Sequence, residues 1–518
     1  MSNTNHTHLV LLHPPSVFDF RERPLQRWML SKPVDTAPTF EYYPVGFIST
    51  LDFLEERGKS VRLMNLAVRM QDPRFDVRQF VREQQTQLFG IDLHWFLHAD
   101  GALSLAKLCK QEHPETPVVL GGITATHFWK EIMETVPEVD FVLRGHTTEP
   151  LIYQLLDCLS SGLPPTTVPN LAWRRNGEIV ENPYTYKPAT LTTKINYPRL
   201  RKHMSMLNPG GWLLTGQHWP VYCFNLLLFC KGCEENCAIC GGSNWAQGLD
   251  QTVLWDTEVL TDAILAARSL TRSVIRLPGD IRQGDWRGFL AALKRRKFTR
   301  AMHFDFFRPG DAEFYRAIAD AVPEPHATIS AITHDEKLRK LYGLPYSNAA
   351  LEQSIEDFLA VGGHLSAFFY VGIPGQTRKS AEATTSYAIS LLERFATRRK
   401  PSFDVYVAAC PFVDPGSLAF TYPEKYGYRL RARTLAQHRE LMREPEWWDT
   451  FNYESETLSR YDLAAAAIDA EIRITGARAA VGLCPSKAAR QDLEKLAQER
   501  VRLEESELAR VHHLAAAR

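Results

Sequence analysis

Apolar and polar positions alternate along the first 165 residues in a repeating strand-and-helix rhythm. Leu9–His13 reads as a strand stopped by Pro14-Pro15. Pro44 to Arg57 has helical spacing, and Gly58 follows it as a glycine just past a helix end does. Val61–Asn65, Leu88–Trp95, Val118–Leu120 and Phe141–Leu143 follow as strands, with a helix over Gly101–Gln111. Gly121-Gly122 and Gly145 stop the last two strands. Short strands joined by helical crossovers predict an α/β fold, a doubly wound Rossmann-like parallel sheet over 1–165.

Residues 166–215 read as a linker with a hairpin, its turn at Arg175-Asn176-Gly177-Glu178. The β/α rhythm then restarts over 216–425. Strands are expected at Leu226–Phe229, Val274–Leu277, Ala301–Phe307, Ala327–Ile332, Leu365–Val371 and Phe403–Cys410, with helices such as Ser347–Val361 and Lys379–Arg394 between them. Six such units predict a partial barrel of TIM type, whose chemistry sits at the C-terminal ends of the strands. Residues 426–518 read as mainly helical. Ser486 to Arg518 lacks Gly and Pro and predicts one long helix.

Composition narrows the function. Lys plus Arg and Asp plus Glu both total 60 in 518 residues. A balanced chain has no long-range field toward nucleic acid or an anionic membrane. The runs Arg295-Arg296-Lys297 and Arg398-Arg399-Lys400 read as solvated helix faces. The apolar run Leu9–Leu12 is too short for a signal peptide or a membrane span, so a cytoplasmic location is expected.

Five of the nine cysteines lie between Cys223 and Cys240. In a reducing compartment such a cluster reads as a metal site rather than as disulfides. Cys233, Cys237 and Cys240 have the spacing C-x3-C-x2-C. A loop with these gaps can wrap three irons of a [4Fe–4S] cubane, because soft thiolates suit iron–sulfur ligation, and it leaves the fourth iron open. The alternative is a structural zinc site that also uses Cys230, although four cysteines crowd such a site and zinc usually takes two separated knuckles.

This motif, at the end of the first strand of a six-unit barrel, resembles the signature of the radical S-adenosylmethionine (SAM) superfamily. The resemblance implies a cluster on Cys233, Cys237 and Cys240 that binds SAM through its open iron. It places Ile239 at the position whose backbone meets adenine. Pro278-Gly279-Asp280 stands where relatives have a Gly-Gly-Glu-like motif, which assigns Gly279 and Asp280 to the methionine amino group. Ser330 and Arg339 fall where ribose or carboxylate is met, and Gly372-Ile373-Pro374-Gly375 resembles the adenine-contacting G-x-I-x-G segment.

Residues 1–165 with 216–425 resemble the subgroup that has an N-terminal cobalamin-binding-type domain. The matching segments are Pro44-Val45-Gly46, Asp92-Leu93-His94-Trp95, Gly121-Gly122-Ile123-Thr124-Ala125-Thr126 and Phe141-Val142-Leu143-Arg144-Gly145. Gly121, Gly122 and Thr124 are the implied pocket, where missing Cβ atoms admit a macrocycle or its nucleotide tail. The usual cobalt-ligating motif is D-x-H-x-x-G after the first strand. Asp92-x-His94 follows the third strand and has Leu97 in place of the glycine, so cobalamin, where it binds, is expected without a protein histidine below cobalt; the alternative is a domain that has lost cobalamin and only shapes the active site.

The resemblance implies transfer of a carbon group from SAM to a small-molecule acceptor in specialised biosynthesis, with an electron donor such as flavodoxin or ferredoxin. The group is methyl, through cobalamin, or 3-amino-3-carboxypropyl. One relative of the second kind acts on a trivalent organoarsenical in arsinothricin biosynthesis. Cys223, Cys230 and Cys410 are the thiols that could hold such an acceptor, since arsenic is thiophilic. A non-enzymatic cobalamin or iron–sulfur sensor is the third reading.

Overall fold

The computed structural model describes residues 6–22, 45–70, 72–191, 196, 199, 224–225, 229–267, 274–396, 402–410 and 412–516. Its N-terminal part is built on β1 (Leu9–His13), β2 (Val61–Asn65), β3 (Phe89–Asp92), β4 (Val118–Gly121), β5 (Phe141–Leu143), β6 (Leu171–Arg175) and β7 (Glu178–Glu181). They form one sheet in the order β2-β1-β3-β4-β5-β6-β7. The first five strands pair in parallel. Leu9 and Leu11 of β1 join one apolar cluster, and Val10 and Leu12 join another on the opposite face. A strand buried on both faces has to be apolar throughout, which is why these strands read as continuous apolar runs.

The hairpin expected in the linker is the edge of this sheet. β6 pairs antiparallel with β5, and β7 with β6. Asn176 and Gly177 both take positive φ, 51° and 86°, as a two-residue hairpin turn requires. The sheet therefore runs to Glu181, past the 165 boundary read from the sequence.

β8 (Thr190–Leu191), β10 (Cys230–Lys231) and β11 (Val253–Trp255) form a small separate sheet. The second large sheet contains β9 (Phe224–Asn225), β12 (Ile275–Leu277), β13 (Ala301–Phe306), β14 (Glu324–Ile332), β15 (His364–Val371) and β16 (Phe403–Ala409). All six pair in parallel in the order β16-β15-β14-β13-β12-β9. Alternate residues such as Phe304, Phe306, Ile329 and Phe369 are buried, and Phe306 packs on Phe314, Tyr315 and Phe358 of the outer helices. The residues between them, including His303, Asp305, Ser330 and Tyr370, face the inner side and are half-buried. Of the expected first strand Leu226–Phe229, residues 226–228 lie outside the described residues; Phe224–Asn225 pairs in parallel with β12, and Cys230–Lys231 pairs antiparallel with β11.

The C-terminal region opens with two antiparallel strands rather than helix, β17 (Tyr428–Leu430) and β18 (Tyr453–Ser455). Helices Arg460–Val481 and Ser486–Ala516 follow. The first of them covers the open edge of β16, where Arg478 donates to Val405 O at 2.6 Å and to Asp404 at 2.8 Å. The short helix Leu435–Leu441 docks on the N-terminal part. Glu131 accepts the N–H groups of Leu435 and Ala436 at its N-terminus, and buried Asp100 accepts from Arg439 and Arg443. Arg295 and Arg296 pair with Glu258 and Asp262 on the surface, while 398–400 lie outside the described residues. No described helix is long and apolar enough to cross a membrane.

Candidate functional site

The cysteine loop sits at the C-terminal mouth of the second sheet. Its entry is tied to the end of β12, where Phe229 N donates to Pro278 O at 2.9 Å. Gly232 (φ 81°) and Asn236 (φ 48°) turn the chain back so that three thiols arise from one short loop. Cys240 N donates to Cys237 O, Asn244 N to Cys233 O, and Gly242 N to the Cys240 sulfur at 3.3 Å. Other elements hold the loop from outside. Ala238 N donates to Tyr342 O, Ala238 O accepts Ala419 N, and Asp414 N donates to Ile239 O.

The three sulfurs sense one another's charge. They are not drawn within 4.8 Å of one another, the closeness that ligands of a single ion need. A loop that spaces thiolates around a larger body fits a cubane better than a zinc ion. Burial pushes the Cys233 thiol up to about 12 and Cys240 to about 11, and Cys237 also rises well above an ordinary thiol. Binding to a metal would have to displace these protons.

The other expected residues fall into different settings. Gly279 (φ 108°) faces Cys230, whose sulfur lies 3.2 Å from where a Cβ at 279 would stand. Asp280 is not available to an amino group. Its two oxygens hold Arg282 at 2.9 and 2.5 Å, and they also accept the N–H groups of Arg282 and Phe307. Arg339 is likewise turned inward. It is fully buried and donates to Ala331 O, Thr333 O, Tyr346 O and Asn348 Oδ1, so its guanidinium cannot receive a carboxylate. Ser330 lies on the inner face of β14, and its carbonyl accepts the Tyr346 hydroxyl. Ile373 is buried. Gly372 (φ 94°) leaves room for Tyr453, whose hydroxyl would lie 2.5 Å from a Cβ there.

Cys230 and Cys410 are both buried beside the mouth, and Cys223 lies outside the described residues. Burial and Asp280 push the Cys230 thiol up to about 12. Cys410 is within electrostatic reach of Asp414 and Cys240, and its carbonyl accepts the Tyr453 hydroxyl at 2.8 Å.

Two carboxylates at this mouth carry no sequence signal. Asp305, at the end of β13, lies on the inner face against Arg276 at 3.0 Å and accepts the Gly279 N–H. Burial raises its carboxyl. Asp414 accepts the Gly241 N–H at 2.9 Å and the Trp95 indole N–H at 2.9 Å. Their positions depend on strands far apart in the chain.

In the N-terminal part, Gly122 (φ 113°) has an internal reason. A Cβ there would lie 2.6 Å from both Cα and N of His94. A Cβ at Gly121 would meet only Leu143 O within 4 Å, at 3.8 Å, so space remains beside it. Thr124 is buried in the helix that follows. Asp92 is buried and holds His13 Nδ1 at 2.9 Å and His94 Nδ1 at 2.5 Å. Burial alone would raise this carboxyl, but the two imidazoles outweigh it and hold it well below the usual carboxylate range. This cluster lies at the carboxyl ends of β1 and β3, where the strand order reverses, which is where open α/β sheets bind ligands. No hydrogen bond reaches buried His94 Nε2 among the described residues. An unoccupied ring nitrogen and the open space at Gly121 fit a ligand over this edge.

Residues 32–152 match the model of the B12 binding domain. An anaerobic magnesium-protoporphyrin IX monomethyl ester cyclase from Synechocystis is 24% identical over 148 residues, 28% of this chain and 27% of the relative, so the match spans about a quarter of that protein. The fold is similar to the radical SAM methyltransferase TsrM from Kitasatospora setae solved with cobalamin and a [4Fe–4S] cluster, with a TM-score of 0.57 at 14% identity over 82% of this chain and 77% of that one. It is also similar to the cobalamin-dependent SAM radical enzyme OxsB solved with aqua-cobalamin and SAM, with a TM-score of 0.60 at 12% identity over 95% and 71%. The chain therefore shares the α/β fold of these cobalamin-dependent radical SAM enzymes, and its N-terminal part matches the B12 binding domain over residues 32–152.

Proposed function

We propose that the protein is a radical SAM enzyme that holds a [4Fe–4S] cluster on Cys233, Cys237 and Cys240, binds cobalamin in its N-terminal domain, and transfers methyl from SAM to a small-molecule acceptor. The observation that carries this reading is the single short loop that bears three thiols at the C-terminal mouth of a parallel six-stranded sheet, in a chain whose N-terminal part matches the B12 binding domain. TsrM and OxsB, which share the fold, were solved with cobalamin. When bound, the cluster supplies the electron and the open iron that break a carbon–sulfur bond of SAM.

The chain's own residues hold and exclude. Asp414 fixes the third-ligand side of the loop through Gly241 N–H. Asp305 is held on the inner face by Arg276 as Asp280 is by Arg282, so both carboxylates anchor arginines of the mouth itself. Tyr428 and Tyr453 seal the strand ends at Gly372 and Cys410 with hydrogen bonds of 2.8 Å, which keeps water from that side of the mouth. An electron donor of the flavodoxin or ferredoxin type and a place in specialised biosynthesis complete the reading.

A second reading is transfer of the 3-amino-3-carboxypropyl group to a trivalent organoarsenical. Cys230 and Cys410, both buried beside the mouth, favour it, since such an acceptor seeks thiolates. Anaerobic reconstitution and reduction, followed by mass spectrometry of the SAM fragments, separates the readings. 5′-Deoxyadenosine or S-adenosylhomocysteine supports methyl transfer. 5′-Methylthioadenosine supports the second reading, and intact SAM beside a fully assembled cluster rejects both.

A further inference from the structure

We propose that His13, Asp92 and His94 form a binding site for one divalent transition-metal ion in the N-terminal domain. The inference stands apart from the cluster and from SAM chemistry.

The donor set is the first argument. One ligand atom from each of the three residues lies within 4.8 Å of the others. The carboxylate sits between the imidazoles, with Asp92 Oδ1 2.9 Å from His13 Nδ1 and Oδ2 2.5 Å from His94 Nδ1. Donors around a metal with bonds of about 2.1 Å stand about 3.0–3.4 Å apart, so these two pairs need to open by about 0.1–0.9 Å. Two imidazoles and a carboxylate suit zinc, iron, cobalt or nickel, and three protein ligands leave a position open.

Charge is the second argument. Asp92 is 3% exposed, and among the described residues its ion-pair partners are His13 and His94 alone. A buried carboxylate needs a counter-charge. A divalent ion supplies the charge at the carboxylate itself.

Preorganisation is the third. His13 ends β1 and Asp92 ends β3, which are locked in parallel register through Val10–Phe89 and Leu12–Ile91. Gly122 packs against the backbone of His94 so closely that no Cβ fits, which fixes the third donor. His13 is sealed from solvent, whereas the His94 side chain is 24% exposed and marks the way in.

The test is titration of the full-length Cys233→Ser/Cys237→Ser/Cys240→Ser variant with Co²⁺ alone, so that the cluster thiolates cannot compete, followed by Zn²⁺. The expected result is one Co²⁺ per chain with visible ligand-field absorption, no sulfur-to-cobalt charge transfer, and displacement by Zn²⁺. His94→Gln and Asp92→Asn added to this background should each weaken binding by about 10–100-fold or more. Absence of Co²⁺ and Zn²⁺ binding overturns the proposal without reliance on any change at the site. Binding that survives both substitutions in folded protein, verified by circular dichroism, also overturns it. Bound cob(II)alamin whose electron paramagnetic resonance shows a nitrogen splitting that His94→Gln removes would assign the imidazole to a corrinoid instead, and would reject the ion site.

Discussion

Trp95 donates its indole N–H to Oδ1 of Asp414 across 2.9 Å, and Oδ2 of the same carboxylate accepts the Gly241 N–H at 2.9 Å. Trp95 follows β3 of the N-terminal sheet, and Gly241 follows Cys240 in the cysteine loop. One half-buried carboxylate therefore ties the loop to the N-terminal domain. Burial raises the Asp414 carboxyl, and these two hydrogen bonds oppose that rise.

Removing one arm should loosen the joint without emptying the thiol site. Trp95→Phe leaves Asp414 with one of its two donors, and a hydrogen bond to a charged group contributes about 1.5–3 kcal/mol. The variant should unfold at lower denaturant concentration by about that energy. It should assemble its iron–sulfur centre but lose it faster in air. Chemical denaturation and the decay of visible absorption measure the two effects, and an unchanged lifetime would place Asp414 outside the cluster's support.

The cysteines make a sharper division. Single Ser substitutions at Cys233, Cys237 or Cys240 should each remove most of the iron and sulfide incorporated on reconstitution. Cys230→Ser and Cys410→Ser should retain them, because Cys230 donates to Gly232 O at 3.5 Å and Cys410 lies behind the seal made by Tyr453. Iron and sulfide analysis of the five variants decides it. Loss at Cys230 would make it a fourth ligand of the iron–sulfur centre and leave no open iron for SAM.

The parts of this molecule that local sequence reveals are those whose cause is local. β1 to β5 read as strands because burial on two faces demands continuous apolar residues. The cysteine loop reads as a metal site because its ligands lie within eight residues. Asp414 and Asp305 escape such reading, because each meets its partners only after distant strands have paired. Arg339 shows the opposite failure. A buried arginine that ties its own loop together carries the same letter as one that receives a carboxylate. The hairpin at 171–181 was legible as a hairpin, but nothing local shows that its first strand joins β5.

Arg339 therefore supports a prediction opposite to the one a ligand role would make. Its guanidinium holds three backbone carbonyls besides Asn348, and lysine cannot reproduce that planar fork. Arg339→Lys should destabilise the protein by about 3 kcal/mol or more, since several buried acceptors lose their donor. SAM affinity, measured by equilibrium dialysis at a temperature where the variant is folded, should stay within about threefold of wild type. A selective loss of affinity with unchanged stability would return the residue to the ligand.

Acid should loosen the contact between the N-terminal domain and the region after the barrel, and His438 sets the range. The ring packs against Phe96, Phe128 and Phe420. Its Nδ1–H donates to Thr434 O at 2.8 Å. Asn452 uses Oδ1 and Nδ2 to hold the backbone of Val413, so its amide orientation is fixed and Nδ2 donates to His438 Nε2 at 3.2 Å. The imidazole is thus neutral, with one nitrogen donating and the other accepting. Burial lowers its pKa from 6.5 to about 4. Between these values the unfolded chain binds the proton and the folded chain does not, so stability rises with pH there. The contribution is fully present above pH 6.5 and is lost as pH falls toward 4, to a total of about 3 kcal/mol. His438→Gln removes the titration. The unfolding free energies of wild type and variant should therefore converge or cross as pH falls from 7 toward 4, with the wild type losing about 3 kcal/mol more. Parallel pH profiles would show that His438 takes up its proton equally in the folded and unfolded chain, and that burial does not hold it neutral.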